Sequence, residues 1–315
     1  MKTAIRLLAS VILLGVAAYL LDWRSLSRTL VALSPAAFGV SVLIASCQYF
    51  PMAYRWFMIV RSARPGAFRW HLQYFCMGTF LNTFTPANIG GDVYRFMMLR
   101  RNGRRYFVLL ALFRERLVGL YAYLLGYLIF WLGYVATGGP RSLVLDLLAG
   151  AILIAQVGLW LLPVLLGRIR RHGWFAARRK IKAVMDACWR ASRFKSMGEF
   201  VTLFFLSMVA LGIWYVAILY LANVMEIKIA PAALGIVVVL AELIRLLPVS
   251  VQGIGLREGA YAYVFTLLGA SGEAGFALAA VGYLALTVAI LLMGVVGAVL
   301  KETGLSPKAH LPKVT

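Results

Sequence analysis

The sequence predicts an all-α integral membrane protein, built from six full transmembrane helices and two broken re-entrant helical hairpins. Hydrophobic residues make up 63% of the 315 residues, well above the share in soluble domains, and the mean hydropathy is +0.87. The 32 lysines and arginines outnumber 11 acidic residues, which gives a net charge of +21. A soluble nucleic-acid-binding protein could be as basic but not as apolar, and the apolar fraction also excludes a disordered chain.

Six apolar runs are long enough to cross the roughly 30 Å hydrocarbon core as helices. The first run follows Lys2 and Arg6, as in a signal peptide, but it lacks a small-residue cleavage site, so we interpret it as a retained helix. The six predicted spans are Ala4–Leu21, Ala36–Val60, Tyr106–Ala136, Ser142–Leu166, Phe200–Ala222 and Ala274–Leu300.

Two further apolar segments are interrupted by loops that contain proline and glycine, which end helices. The interrupted segments are Leu72–Phe84 with Asp92–Leu99, and Pro231–Leu247 with Leu256–Ala270. As a helix, Leu72–Phe84 would rise only about 20 Å, which is too short to cross the membrane. Each interrupted segment is therefore predicted to enter and leave on one side.

The distribution of basic residues supports this topology. If both interrupted segments are re-entrant, 22 of the 32 lysines and arginines lie on the cytoplasmic side and only four on the outside. If the first segment crossed instead, the four arginines within residues 100–105 would move outside. We therefore predict that the N- and C-termini are cytoplasmic, although two true crossings would preserve both termini and stay an alternative.

The predicted topology is an inverted repeat within one polytopic membrane domain, 1–315. Pro86-x4-Gly91-x3-Arg95 matches Pro248-x4-Gly253-x3-Arg257 at an offset of 162 residues. The predicted halves are about 1–137 and 142–300, with 142–167 beginning the second half. Inverted repeats whose broken helices meet near the midplane are the usual plan of secondary transporters.

A basic cytoplasmic loop, 168–198, separates the predicted halves. Trp174, Ala177, Ile181, Met185 and Cys188 recur at helical spacing among arginines and lysines. This pattern is typical of an amphipathic helix on an anionic membrane surface, and a plain topogenic loop is the alternative.

Ionisable residues at membrane depth are costly and usually face a cavity or a partner. Arg95 and Arg257 each follow a glycine-containing break, where a helix N-terminus and a guanidinium favour a phosphate or carboxylate. Glu242 and Arg245 are spaced i, i+3 and can pair. The alternative to an anion site is a structural role. In that case Arg95 would pair with Asp92, or Arg257 with Glu258, and these ion pairs would only stabilise the broken helices.

These motifs resemble the flippase-like transmembrane family, the membrane domain of bacterial lysylphosphatidylglycerol synthases and their stand-alone relatives. The resemblance lies in Asn82-x3-Pro86-x3-Gly90-Gly91-x3-Arg95, then Glu115-Arg116-Leu117, then Pro248-x4-Gly253-x-Gly255-x-Arg257-Glu258. It implies movement of a phosphate-bearing or polyprenyl-type lipid between leaflets. Lysine transfer is not expected, because no stretch is polar enough for a soluble aminoacyl-transfer domain. The predicted substrate-binding residues are Asn82, Pro86, Gly90, Gly91, Arg95, Glu115, Arg116, Glu242, Arg245, Gly253, Gly255, Arg257 and Glu258.

The predicted function is therefore a lipid flippase or secondary transporter in the bacterial inner membrane, and not an enzyme. The expected partners are membrane lipids with an anionic headgroup and no nucleic acid, while a homo-oligomer stays open. We expect no metal and no cofactor, and no Walker A motif is present. Transport would be passive or coupled to an ion gradient, with Glu115, Glu242 and Glu258 as candidates for proton coupling.

Two other functions stay open. One is an integral membrane lipid-modifying enzyme, either a headgroup transferase or a phosphatase, with a carboxylate-only mechanism at Glu242 and Glu258. The other is a scaffold without transport, which would gain little from buried charges.

Overall fold

The computed structural model describes residues 33–61, 66–83, 85, 89–99, 105–169, 179–246 and 253–302. Every regular element in these ranges is an α-helix, in agreement with the predicted class. The helices are α1 (Pro35–Cys47), α2 (Tyr49–Val60), α3 (Phe68–Thr83), α4 (Gly90–Leu99), α5 (Arg105–Ala136), α6 (Leu143–Ile169), α7 (Arg179–Ser192), α8 (Met197–Val224), α9 (Pro231–Arg245), α10 (Leu256–Leu267) and α11 (Gly272–Glu302).

Five helical stretches are long and apolar enough to cross a membrane. They are Pro35–Val60, Phe107–Ala136, Leu143–Ile169, Met197–Val224 and Gly272–Glu302. They confirm five of the predicted spans, whereas Ala4–Leu21 lies outside the described residues. Helix α6 exposes apolar side chains such as Leu147 and Ile154, as expected of a helix that faces lipid. The chain is therefore a multi-pass membrane protein.

The first described span bends at Gln48, between α1 and α2. Pro51 has no N–H group, and its ring would collide with the carbonyl of Cys47 in a continuous helix. Gln48 stabilises the bend, since its side-chain amide donates to the Ala45 carbonyl oxygen at 2.9 Å. The sequence predicted the span but not this bend.

Both predicted helix breaks are present. The first lies between α3 and α4, and the second between α9 and α10. At 1.5 Å per residue, α3 is about 24 Å long and α9 about 22 Å, so neither reaches across the hydrocarbon core by itself. Helix α4 packs against α3, and α10 against α9.

The chain reverses direction between α3 and α4. Gly91, at the start of α4, lies beside Asn82, near the end of α3. Arg95 lies one turn further along α4, and its side chain contacts Gly78, which is one turn before Asn82 on α3. A Cβ atom on Gly91 would collide with the carbonyl of Gly78, so glycine allows the two backbones to touch. This antiparallel contact sets how close α4 lies to α3.

Helix α9 is buried within the bundle. All residues from Ala233 to Glu242 are buried, because α9 is apolar on every side and is surrounded by α5, α10 and other helices. The charged Glu242 and Arg245 at its C-terminal end are thus carried into the interior.

Helix α7 confirms an amphipathic helix in the basic segment. Lys182 and Arg190 are exposed, whereas Met185, Cys188 and Trp189 are partly buried against the bundle, where α7 packs on α5 and α6. Trp174 and Ala177 lie outside the described residues.

Candidate functional site

The start of α4 is capped by side chains from the end of α3. The Gly90 N–H donates to the Thr85 hydroxyl at 2.8 Å, and the Gly91 N–H donates to the Asn82 side-chain oxygen at 2.7 Å. These backbone donors, predicted to bind an anion, are already used by the chain. The cap therefore fixes the geometry of α4 and leaves the charged side chains as the candidates for ligand binding.

Arg95 is buried and forms two ion pairs through its Nη1 and Nη2 atoms, while its Nε has no hydrogen-bond partner. It donates to Glu115 at 2.8 Å and to Asp92 at 2.7 Å. Its guanidinium carbon lies 4.5 Å from the ring centre of Trp56, a cation–π contact. Two carboxylates and an aromatic face thus compensate the cost of burying this charge.

Two further arginines extend these ion pairs. Arg116 donates two hydrogen bonds to the second oxygen of Asp92. Arg55 lies 3.7 Å from the second oxygen of Glu115 and donates to the Ser207 hydroxyl at 2.6 Å. We refer to Arg55, Asp92, Arg95, Glu115 and Arg116 as the first cluster. It joins α2, α4 and α5, and its three cations exceed its two anions.

The second break is shaped by two glycines with positive φ. Gly253 and Gly255 have φ values of 77° and 83°, which other residues rarely adopt. Gly255 precedes α10, and its N–H donates to the Glu258 carboxylate at 2.7 Å. Glu258 therefore caps its own helix, and no ion pair joins it to Arg257 in the part of the chain that the structure describes.

Glu242 and Arg245 form the predicted i, i+3 ion pair, at 2.7 Å. The hydroxyls of Tyr123 and Tyr283 also donate to Glu242, each at 3.4 Å. The carboxylate thus has partners on α5, α9 and α11. We refer to Tyr123, Glu242, Arg245, Arg257 and Tyr283 as the second cluster.

Arg257 differs from Arg95, its counterpart in the sequence repeat. It is 4% exposed, and its guanidinium carbon lies 3.1 Å from the ring centre of Tyr283. Its Nε and Nη1 atoms are buried without a hydrogen-bond partner, and among the described residues no carboxylate forms an ion pair with it. The segment 247–252 contains no acidic residue. Arg257 is therefore a buried cation whose Nε and Nη1 donors have no hydrogen-bond partner.

A cavity of about 80 Å³ lies between the two clusters. Arg55 of the first cluster and Tyr123, Glu242 and Arg245 of the second contribute to its wall, with Ser207 from α8. The volume holds a few water molecules or a phosphate-sized group but not a whole lipid. Its polar lining suits the anionic part of a larger molecule.

The structure brings six of the thirteen predicted site residues into these two clusters. Arg95, Glu115 and Arg116 meet in the first, and Glu242, Arg245 and Arg257 in the second. The remaining predicted residues shape the breaks, except Pro86, which lies outside the described residues. The shaping residues are Asn82, Gly90, Gly91, Gly253, Gly255 and Glu258.

Sequence reasoning missed Arg55, Tyr123 and Tyr283. Arg55 had a usable signal, because it is an arginine within an apolar run, like Arg95. The two tyrosines had none, since tyrosine is common in apolar helices. Among the described residues, no three His, Cys, Asp or Glu side chains are arranged to hold a metal ion.

Comparison with known proteins supports the resemblance drawn from these motifs. A family model described as "Lysylphosphatidylglycerol synthase TM region" matches residues 3–294. No curated protein and no solved structure matches the chain. The match covers both clusters and both breaks.

Proposed function

Since the chain belongs to the lysylphosphatidylglycerol synthase TM region family, we propose that it moves an anionic or polyprenyl-type lipid between the leaflets of the bacterial inner membrane. The headgroup enters the cavity between the two clusters, while the acyl or prenyl chains stay in the bilayer. Both termini lie in the cytoplasm.

The observation that carries this proposal is the buried arginine set around the cavity. Arg55 and Arg245 line it, and Glu242 is the one carboxylate in its lining among the described residues. Arg257 does not line the cavity, but it packs on the Tyr283 ring with Nε and Nη1 lacking hydrogen-bond partners. A phosphate that reached Arg257 would supply these partners, and the guanidinium fork suits its oxygen atoms.

The proposal includes six spans and two re-entrant hairpins in an inverted repeat. The antiparallel contact of α3 with α4 supports the first hairpin, because Asn82 meets Gly91 at the turn. The short lengths of α9 and α10 support the second. In this arrangement the first half, about 1–137, contributes the first cluster and Tyr123, and the second half, 142–300, contributes the rest of the second cluster.

The alternative function, a lipid-modifying enzyme, would need a free carboxylate as its base. Glu242 is held by Arg245 and two tyrosines, and Glu258 accepts the backbone N–H of Gly255. Neither is placed as a free base, which favours transport. Glu242 stays the better candidate for proton coupling, because it borders the cavity.

The test is lipid translocation in proteoliposomes. Vesicles carry fluorescent phosphatidylglycerol or a labelled polyprenyl phosphate, and a membrane-impermeant quencher reports the fraction in the outer leaflet over time. We expect faster exchange than in protein-free vesicles. The same samples are separated by chromatography, because conversion of the lipid without exchange would support the enzyme instead.

A matched pair of variants makes the result specific. Arg257→Gln removes the unpaired buried cation, whereas Arg141→Gln removes an exposed arginine whose side chain contacts only Asp146 among the described residues. We expect lipid exchange between the leaflets to be lost in Arg257→Gln and unchanged in Arg141→Gln. Equal exchange by both variants would contradict an anion site at Arg257.

A further inference from the structure

A second, lateral groove lies away from the central cavity, between the end of α6, helix α7 and the start of α8. Two adjoining hollows of about 260 and 380 Å³ share Pro163 and Arg193. None of the residues that line them borders the central cavity. The groove is therefore a separate feature.

The floor of the groove is a fixed aromatic surface. The rings of Tyr121, Trp160 and Phe200 pack edge to face, with centres 5.0–5.5 Å apart. Pro163 lacks an N–H group, so the Leu159 carbonyl has no helical donor, and the Tyr121 hydroxyl supplies one at 2.6 Å. This hydrogen bond holds α5 against α6, and the floor stays apolar.

The rim of the groove is cationic. Arg193 is exposed and lies 4.9 Å from the ring centre of Trp189, and Arg168 borders the same hollow. No ion pair joins Arg168 or Arg193 to a carboxylate in the described ranges. Gly167 lets the Trp189 indole lie close to α6, since a Cβ atom there would be 3.2 Å from its nitrogen.

A third arginine holds the rim in place. Arg114 donates to the Arg193 carbonyl at 2.7 Å and pairs with Glu199 at 3.5 Å. It thereby ties the segment after α7 to α5 and α8. The rim is thus positioned by the contacts of Arg114, while Arg168 and Arg193 themselves are exposed.

We propose that this groove binds an anionic phospholipid of the surrounding bilayer as a retained, non-transported lipid. The ends of α6 and α8 are the ends of two membrane spans, so the groove opens at headgroup level. The phosphate lies between Arg168 and Arg193, and one acyl chain covers the aromatic floor. Tryptophan beside basic residues is typical of this level of the membrane.

The test compares lipid retention by the full-length purified protein. Native mass spectrometry counts bound phosphatidylglycerol and phosphatidylcholine of the same chain length, added in equal amounts. We expect the parent to retain phosphatidylglycerol preferentially. Arg193→Gln should weaken retention about fivefold, because one basic residue near headgroups contributes about that much. Arg193→Glu should weaken it further.

The control separates loss of this site from loss of the fold. Arg141→Gln, at the other end of α6, should retain the lipid as the parent does, with an unfolding temperature equal to that of Arg193→Gln. The proposal is wrong if both lipids are retained equally, or if Arg193→Gln retains the lipid as the parent does.

Discussion

Arg95 and Arg257 occupy equivalent positions in the sequence repeat, but their contacts predict opposite effects of the same substitution. The motifs alone predict that either Arg→Gln change abolishes transport in a folded protein. In the structure Arg95 holds two carboxylates, at 2.8 and 2.7 Å, whereas Arg257 holds none among the described residues. The first is predicted to act mainly on stability and the second mainly on transport.

For Arg95→Gln we expect a loss of about 3–5 kcal/mol in the free energy of unfolding, the usual cost of removing one partner from a buried ion pair. Glu115 keeps only the 3.7 Å contact with Arg55. The double variant Arg95→Gln/Glu115→Gln should recover part of the loss, because it also removes the carboxylate left behind.

For Arg257→Gln the stability terms oppose each other. The cation–π contact with Tyr283 is worth about 0.5–2 kcal/mol, whereas each of the two unmade hydrogen bonds of Arg257 costs about 1–3 kcal/mol in the parent. We expect the variant to be at least as stable as the parent protein. Transport should fall about 10- to 150-fold, which corresponds to the 1.5–3 kcal/mol of a charged hydrogen bond to phosphate. Arg257→Lys should restore it only partly, because lysine lacks the planar fork.

The measurements are thermal or denaturant unfolding in detergent and exchange of fluorescent phosphatidylglycerol in proteoliposomes at matched protein density. If Arg95→Gln is as stable as the parent protein, the ion pairs of Arg95 do not stabilise the fold. If Arg257→Gln transports at the parent rate, Arg257 does not bind the transported lipid.

Three further predictions concern the fold. Gly91→Ala should prevent close packing of α3 on α4 and lower stability by about 3 kcal/mol or more, whereas Gly150→Ala, inside α6 with open space around it, should not lower stability and should raise it by at most about 1 kcal/mol. Tyr121→Phe should cost about 1–3 kcal/mol in the same unfolding assay, because the Leu159 carbonyl loses its donor; a neutral result would mean that water replaces the hydroxyl. A single cysteine within 100–105 should react with an impermeant reagent only from the cytoplasmic side, and labelling from the periplasm would rule out the first re-entrant hairpin.

Much of the helical arrangement could be predicted from the sequence because the bilayer imposes it. A chain in hydrocarbon must satisfy its backbone within a helix, so an apolar run such as 143–169 has few alternatives. Proline and glycine ended the helices near Thr83 and Arg245 for the same local reasons that the sequence indicates. The bend at Gln48 also had a signal in the sequence, because Pro51 lies in the middle of the predicted span, where proline distorts a helix.

The partners of the buried charges could not be predicted in the same way. The i, i+3 pair of Glu242 with Arg245 follows from helix geometry, and it is present. Glu115 instead pairs with Arg55, which is 60 positions away, and this contact depends on how α2 packs against α5. The difference between Arg95 and Arg257 also arises from tertiary packing, although the repeat presents them as equivalent.

The shared carboxylates of the first cluster have a consequence for movement of the hairpin. Glu115 lies between Arg95 and Arg55, and Asp92 lies between Arg95 and Arg116. If α4 shifts along α5, the Glu115–Arg95 and Asp92–Arg116 contacts separate, but Glu115 keeps Arg55 and Asp92 keeps Arg95. Neither carboxylate is then left without a cation, because each of them contacts a guanidinium outside the contact between α4 and α5.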